Sequence, residues 1–82
     1  MQVKVLFFAR LKEQLGCSSL SLELAEGSNT TQLKAEVVSK GEQWTILEEP
    51  SVLMAINQQH VSDVKSLANG DEVAFFPPVT GG

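Results

Sequence analysis

The chain is short of the side chains from which active sites are usually built. Its 82 residues contain one histidine, one cysteine and no tyrosine. A single cysteine, Cys17, excludes an intramolecular disulfide. Cys17 follows Gly16 at the end of an expected helix, where a small thiol is more readily a packing residue than a reactive one. No histidine lies near it in sequence, so a Cys/His nucleophile pair is unsupported. Metal sites need several Cys, His or carboxylate ligands converging, and no ligand spacing of that kind occurs. Glycine-rich phosphate loops are absent. The acidic pairs Glu48-Glu49 and Asp71-Glu72 are adjacent in sequence. On a strand such neighbours point to opposite faces, so each pair reads as solvated charge.

Long apolar runs are missing too. Nothing approaches the roughly 20 residues of a membrane span, and no signal-peptide pattern precedes the first expected strand. A cytoplasmic location is therefore expected. Positive charge is scarce, with 6 Lys and Arg against 10 Asp and Glu, for a net charge of -4. That balance argues against nucleic acid, whose phosphates call for a basic face, and is compatible with a basic partner surface. There are no repeats, linkers or low-complexity tracts. A chain of this length forms one domain that hides only about 60–65% of its unfolded surface, leaving modest stability and room for a partner to add to it.

What is present is periodicity. Residues 2 to 8 alternate as a strand, with Val3, Val5 and Phe7 on a consistently apolar face assigned to the core. The opposite face runs Gln2, Lys4, Leu6, Phe8, polar at its start and apolar at its end. Residues 9 to 15 suit a short helix, with Leu11 and Leu15 one turn apart and Gly16 at the left-handed closing position. Residues 18 to 24 alternate strictly, with Leu20, Leu22 and Leu24 inward. The main helix is expected over 30 to 40. Asn29 and Gln32 sit at capping-box spacing, Leu33 and Val37 share a face, and Gly41 is the expected stop. Residues 42 to 49, with Trp44, Ile46 and Leu47, read as a short helical or irregular turn ended by Pro50. Residues 52 to 57 read as the third strand and Asn57-Gln58-Gln59-His60 as a polar turn, which makes His60 a solvated surface residue. Val61, Val64 and Leu67 are spaced for a short helical turn. Asn69-Gly70 then leads into a last strand ending at Phe76. This order suits an α+β fold: a mixed four-stranded sheet with one main helix packed across one face. That is the β-grasp layout, and a ferredoxin-like α+β fold competes with it on pattern alone.

The last twelve residues, Asp71-Glu72-Val73-Ala74-Phe75-Phe76-Pro77-Pro78-Val79-Thr80-Gly81-Gly82, are the most informative. Pro77 and Pro78 lack an N–H and fix φ, so they stop the strand and direct the chain outward in an extended, polyproline-like path. Six residues from Pro77 to Gly82 reach at most about 20 Å, beyond the radius of gyration of about 12 Å expected for the body. Gly81 and Gly82 carry no side chain and suit a channel that admits only backbone. The chain therefore divides into a domain at residues 1 to 76 and a tail at residues 77 to 82. The chemical handle of that tail is the carboxylate of Gly82. A bare carboxylate is a poor electrophile, so chemistry at this end needs a partner to activate it and no side chain of this chain. The competing reading is an ordinary frayed end.

The run from Gly70 to Gly82, together with Lys4-Val5-Leu6-Phe7-Phe8-Ala9-Arg10, resembles the small subunits of molybdopterin synthase, a family of ubiquitin-like sulfur carriers. The resemblance covers the whole chain and is most specific at the C-terminus. It implies the β-grasp fold and a chain that is not an enzyme on its own and binds no cofactor. It also implies that Gly82 is adenylated by a ubiquitin-activating-like enzyme, using ATP, and then sulfurated from a donor such as a cysteine desulfurase. Pro77, Pro78, Val79, Thr80 and Gly81 would enter the large subunit of the synthase, where sulfur passes to cyclic pyranopterin monophosphate; assembly of two large and two small subunits is expected. If Phe75 is core, then Phe76 is exposed, and Leu6, Phe8, Ala74 and Phe76 form a partner-binding patch on the open side of the sheet. In the family His60 matches a position beside it. A carrier for thiamine synthesis or tRNA thiolation, and a non-covalent β-grasp binding module, are the alternatives.

Overall fold

The computed structural model describes residues 1–78. The expectations for Val79, Thr80, Gly81 and Gly82 lie outside the described residues.

In chain order the elements are β1 (Gln2–Phe7), α1 (Ala9–Leu15), β2 (Ser19–Glu23), α2 (Thr30–Val38), a 3₁₀ helix (Glu42–Glu48), β3 (Leu53–Ile56), β4 (Gln59–Val61) and β5 (Glu72–Phe76). The strands form one mixed sheet in the order β2-β1-β5-β3-β4. β1 and β5 are parallel and the other pairs antiparallel. The α+β, β-grasp expectation holds.

Alternation decides which face is buried. Val3, Val5 and Phe7 are fully buried, and register places Leu22 and Leu20 of β2, then Val73 and Phe75 of β5, beside them. Leu11 and Leu15 of α1, Leu33 and Val37 of α2, and Trp44 and Leu47 of the 3₁₀ helix close over this surface. Phe7 stacks on Phe75 at 6.0 Å between centroids and tilts against Trp44 at 5.5 Å. α2 starts with the expected capping box: the Gln32 N–H donates to Asn29 Oδ1 at 2.9 Å, and the Asn29 N–H donates to Gln32 Oε1 at 2.8 Å. α2 closes on Ser39, and Gly41 opens the 3₁₀ helix instead of ending α2.

Two further expectations are corrected. The sheet has five strands, not four. Gln59, His60 and Val61 form β4, antiparallel to β3 with Ala55 opposite His60, so His60 lies on a strand rather than in a turn. The connecting turn is only Asn57-Gln58, with φ of 49° and 72°. A two-residue turn of this hand usually shows glycine second, and its absence hid the hairpin. The second correction is the helical turn expected from Val61, Val64 and Leu67. Val61 belongs to β4, Val64 is exposed, and of the three only Leu67 enters the core. This segment is extended because its backbone is used elsewhere. The Leu67 N–H donates to the Ser28 carbonyl at 2.9 Å, and the Thr30 N–H donates to the Lys65 carbonyl at 2.9 Å.

Candidate functional site: the open face of the sheet

Among the described residues, the helices all pack on one side of the sheet and nothing covers the other. Register aligns four residues of that side in one row across four strands: Leu6 (β1), Ala74 (β5), Ala55 (β3) and His60 (β4). The next row toward the end of β5 is larger. Phe76 lies opposite Leu53. Phe8, 49% exposed, follows β1, its N–H donating to the Phe75 carbonyl at 3.2 Å. The His60 ring meets Phe76 edge-on at 6.2 Å.

These side chains bound an open hollow of about 400 Å³ lined by Leu6, Phe8, Ala55, Gln58, His60, Glu72, Ala74 and Phe76. All five residues expected in a partner-binding patch therefore share one surface. Phe75 is buried at 1% exposure and Phe76 is half-buried beside it, as their parity requires. Sequence reasoning missed Ala55, Gln58 and Glu72. Ala55 has the outward parity of β3, a signal that required knowing the partner strand. Glu72 shares parity with Ala74 and Phe76 but reads as plain solvated charge. Gln58 could be placed only once the hairpin was known.

At the Phe8 end of the face, β5 stops and Pro77 and Pro78 follow, Pro77 half-buried and Pro78 exposed. Both lack the N–H that would extend the ladder. The tail thus departs beside the most apolar part of the open face.

Among the described residues, no group of three or more His, Cys, Asp or Glu side chains converges as a metal site would require. Cys17 is half-buried against the core, and its Sγ donates to the Ser19 carbonyl at 3.0 Å. No helix among the described residues is long and apolar enough to cross a membrane. The open face is lined mainly by apolar side chains, with Gln58, His60 and Glu72 at its polar edge.

Residues 5–82 match the ThiS family. The molybdopterin synthase sulfur carrier subunit of Escherichia coli is 41% identical over 98% of this chain and 99% of its own length. That of Haemophilus influenzae is 40% identical with the same coverage. Among solved structures, SAMP1 of Haloferax volcanii superposes with a TM-score of 0.83 at 22% identity over all of both chains, a likeness of fold. A complex of subunits 1 and 2 of molybdopterin-converting factor from Helicobacter pylori matches with a TM-score of 0.73 at 25% identity, again over all of both chains. The chain belongs to the ThiS family, and within it stands with the molybdopterin synthase sulfur carrier subunits.

Proposed function

We propose that the chain is the sulfur carrier of molybdopterin synthesis, with the carboxylate of Gly82 as its working group. The observation that carries this reading is identity of 40% and 41%, over nearly the whole of each chain, to two molybdopterin synthase sulfur carrier subunits. The apolar open face beside Pro77-Pro78 supports it, because a carrier with no catalytic side chains must be held by another protein while its end is worked on.

In this reading a ubiquitin-activating-like partner binds ATP, and the Gly82 carboxylate displaces pyrophosphate to give the acyl adenylate. A sulfur nucleophile then displaces AMP at the acyl carbon: sulfide leaves the thiocarboxylate directly, whereas the persulfide of a donor such as a cysteine desulfurase leaves an acyl disulfide, which a thiol reductant cleaves to the thiocarboxylate. The tail, Pro77 to Gly81, carries it into the large subunit of the synthase, which docks on Leu6, Phe8, His60, Ala74 and Phe76. There sulfur passes to cyclic pyranopterin monophosphate. The complex of two subunits from Helicobacter pylori supports a large-subunit partner; two large and two small subunits would let each carrier serve one large subunit. The chain holds no cofactor of its own, acts as the non-catalytic donor subunit and works in the cytoplasm.

The test is intact mass measurement after incubation with the activating enzyme, ATP and a sulfur source. The expected product has one oxygen of the Gly82 carboxylate replaced by sulfur; an unmodified carboxylate, under conditions that load a control carrier, refutes the reading. Expression in deletion strains separates the pathways. Restored molybdoenzyme activity without relief of thiamine auxotrophy is expected, and the reverse would assign the chain to thiamine synthesis.

A further inference from the structure

The turn between β3 and β4 holds two non-glycine residues in the left-handed region, Asn57 at φ 49° and Gln58 at φ 72°. Asparagine tolerates that region through its short polar side chain; glutamine has no such advantage. Asn57 is accounted for inside the chain. Its Nδ2 donates to Asp71 Oδ1 at 3.1 Å, its Oδ1 accepts from the Glu72 N–H at 3.0 Å, and its N–H donates to the Glu72 carbonyl at 2.8 Å. Gln58 is not. It is exposed and lines the open-face hollow beside His60 and Glu72. Glycine would relax the turn, and among the described residues no hydrogen bond uses the Gln58 side chain.

Glu72 poses the same question. It is half-buried, lines the same hollow and stands opposite Lys4 in the β1–β5 register. The ion pair found among the described residues is elsewhere, between the Met1 ammonium and Glu26. The open face is therefore graded: Phe8 and Phe76 near the tail, Ala55 and Ala74 in the middle, and Lys4, Gln58 and Glu72 at the far end.

We propose that Gln58 and Glu72 form the polar end of the docking face and receive a cationic side chain, arginine or lysine, of the large subunit. The inference rests on the docking reading above and adds to it the contact that fixes register. Apolar burial supplies attraction without direction. A carboxylate and a carboxamide lining one hollow supply direction, since a guanidinium can donate to both. With the far end pinned, the tail is aimed from the other end of the same face. The chain's net charge of -4 agrees with a cationic partner group.

The test is calorimetric binding to the purified large subunit, at low and high salt, for the unsubstituted chain, Gln58→Gly and Glu72→Gln, with thermal unfolding of each. Gln58→Gly is expected to melt about 4 °C higher, since glycine relieves the turn, and yet to bind about tenfold more weakly. A purely structural role for Gln58 cannot produce that opposition. Glu72→Gln is expected to bind about tenfold more weakly with a flatter salt dependence. A Gln58→Gly variant that binds as tightly as the unsubstituted chain overturns the proposal, as does an unchanged salt dependence in Glu72→Gln. If the unsubstituted chain fails to bind the large subunit at all, it is the docking reading that falls.

Discussion

Phe75 and Phe76 are neighbours in sequence with opposite tasks. The pleat sends Phe75 into the stack with Phe7 and Phe76 to the open face against His60. Truncating the first opens a cavity in a core with nothing to fill it. Phe75→Ala is expected to lower unfolding stability by about 3–5 kcal/mol in denaturant titration. Phe8, 49% exposed, should behave in the opposite way. Phe8→Ala is expected to lower stability by about 1 kcal/mol or less while weakening large-subunit binding roughly tenfold, as the area lost from the interface requires. These assignments were legible in the sequence because period-two alternation is the same signal in the chain and in the sheet. Gln58 was illegible for the converse reason: its significance lies in a backbone angle, and glutamine carries no expectation of a left-handed turn.

At the scale of elements, legibility followed the strength of local rules. α2 announces itself through Asn29 and Gln32, and the structure contains both halves of their reciprocal hydrogen bonding. Asn29 also ties the helix start to the extended segment at Ser66 through an isolated bridge. Asn29→Ala is therefore expected to lower stability by about 1 kcal/mol, read as a drop in melting temperature, with no change in large-subunit binding. β4 lies at the other extreme. It has three residues, Gln59, His60 and Val61, of which only Val61 is even partly buried, so it has neither length nor alternation to report. What makes it a strand is pairing with β3, a tertiary fact. The segment after it misled for a related reason. The spacing of Val61, Val64 and Leu67 imitates a helical turn, but the carbonyl of Ser28 and the N–H of Thr30 bind Leu67 and Lys65 in extended form. Long-range backbone bonding overrode a local pattern.

At the scale of the whole molecule, the fold separates what must be stable from what must be reached. The radius of gyration is 12.0 Å. The core closes at Phe75 on β5, and the two prolines that follow β5 cannot extend the sheet ladder. Six residues span up to about 20 Å when extended, a reach that the proposed carrier role would use to present Gly82 to a partner. Gly81 and Gly82 have no side chains to contribute to packing. Deleting these two glycines is expected to leave the melting temperature unchanged to within about 1 °C and to leave large-subunit binding through the open face measurable. The same deletion is expected to abolish sulfur loading and molybdoenzyme rescue completely. A non-covalent binding module of the same fold would lose nothing by it. The combination of an intact fold, persistent docking and no sulfur transfer therefore separates a carrier from a module, and retained rescue by the truncated chain would decide for the module.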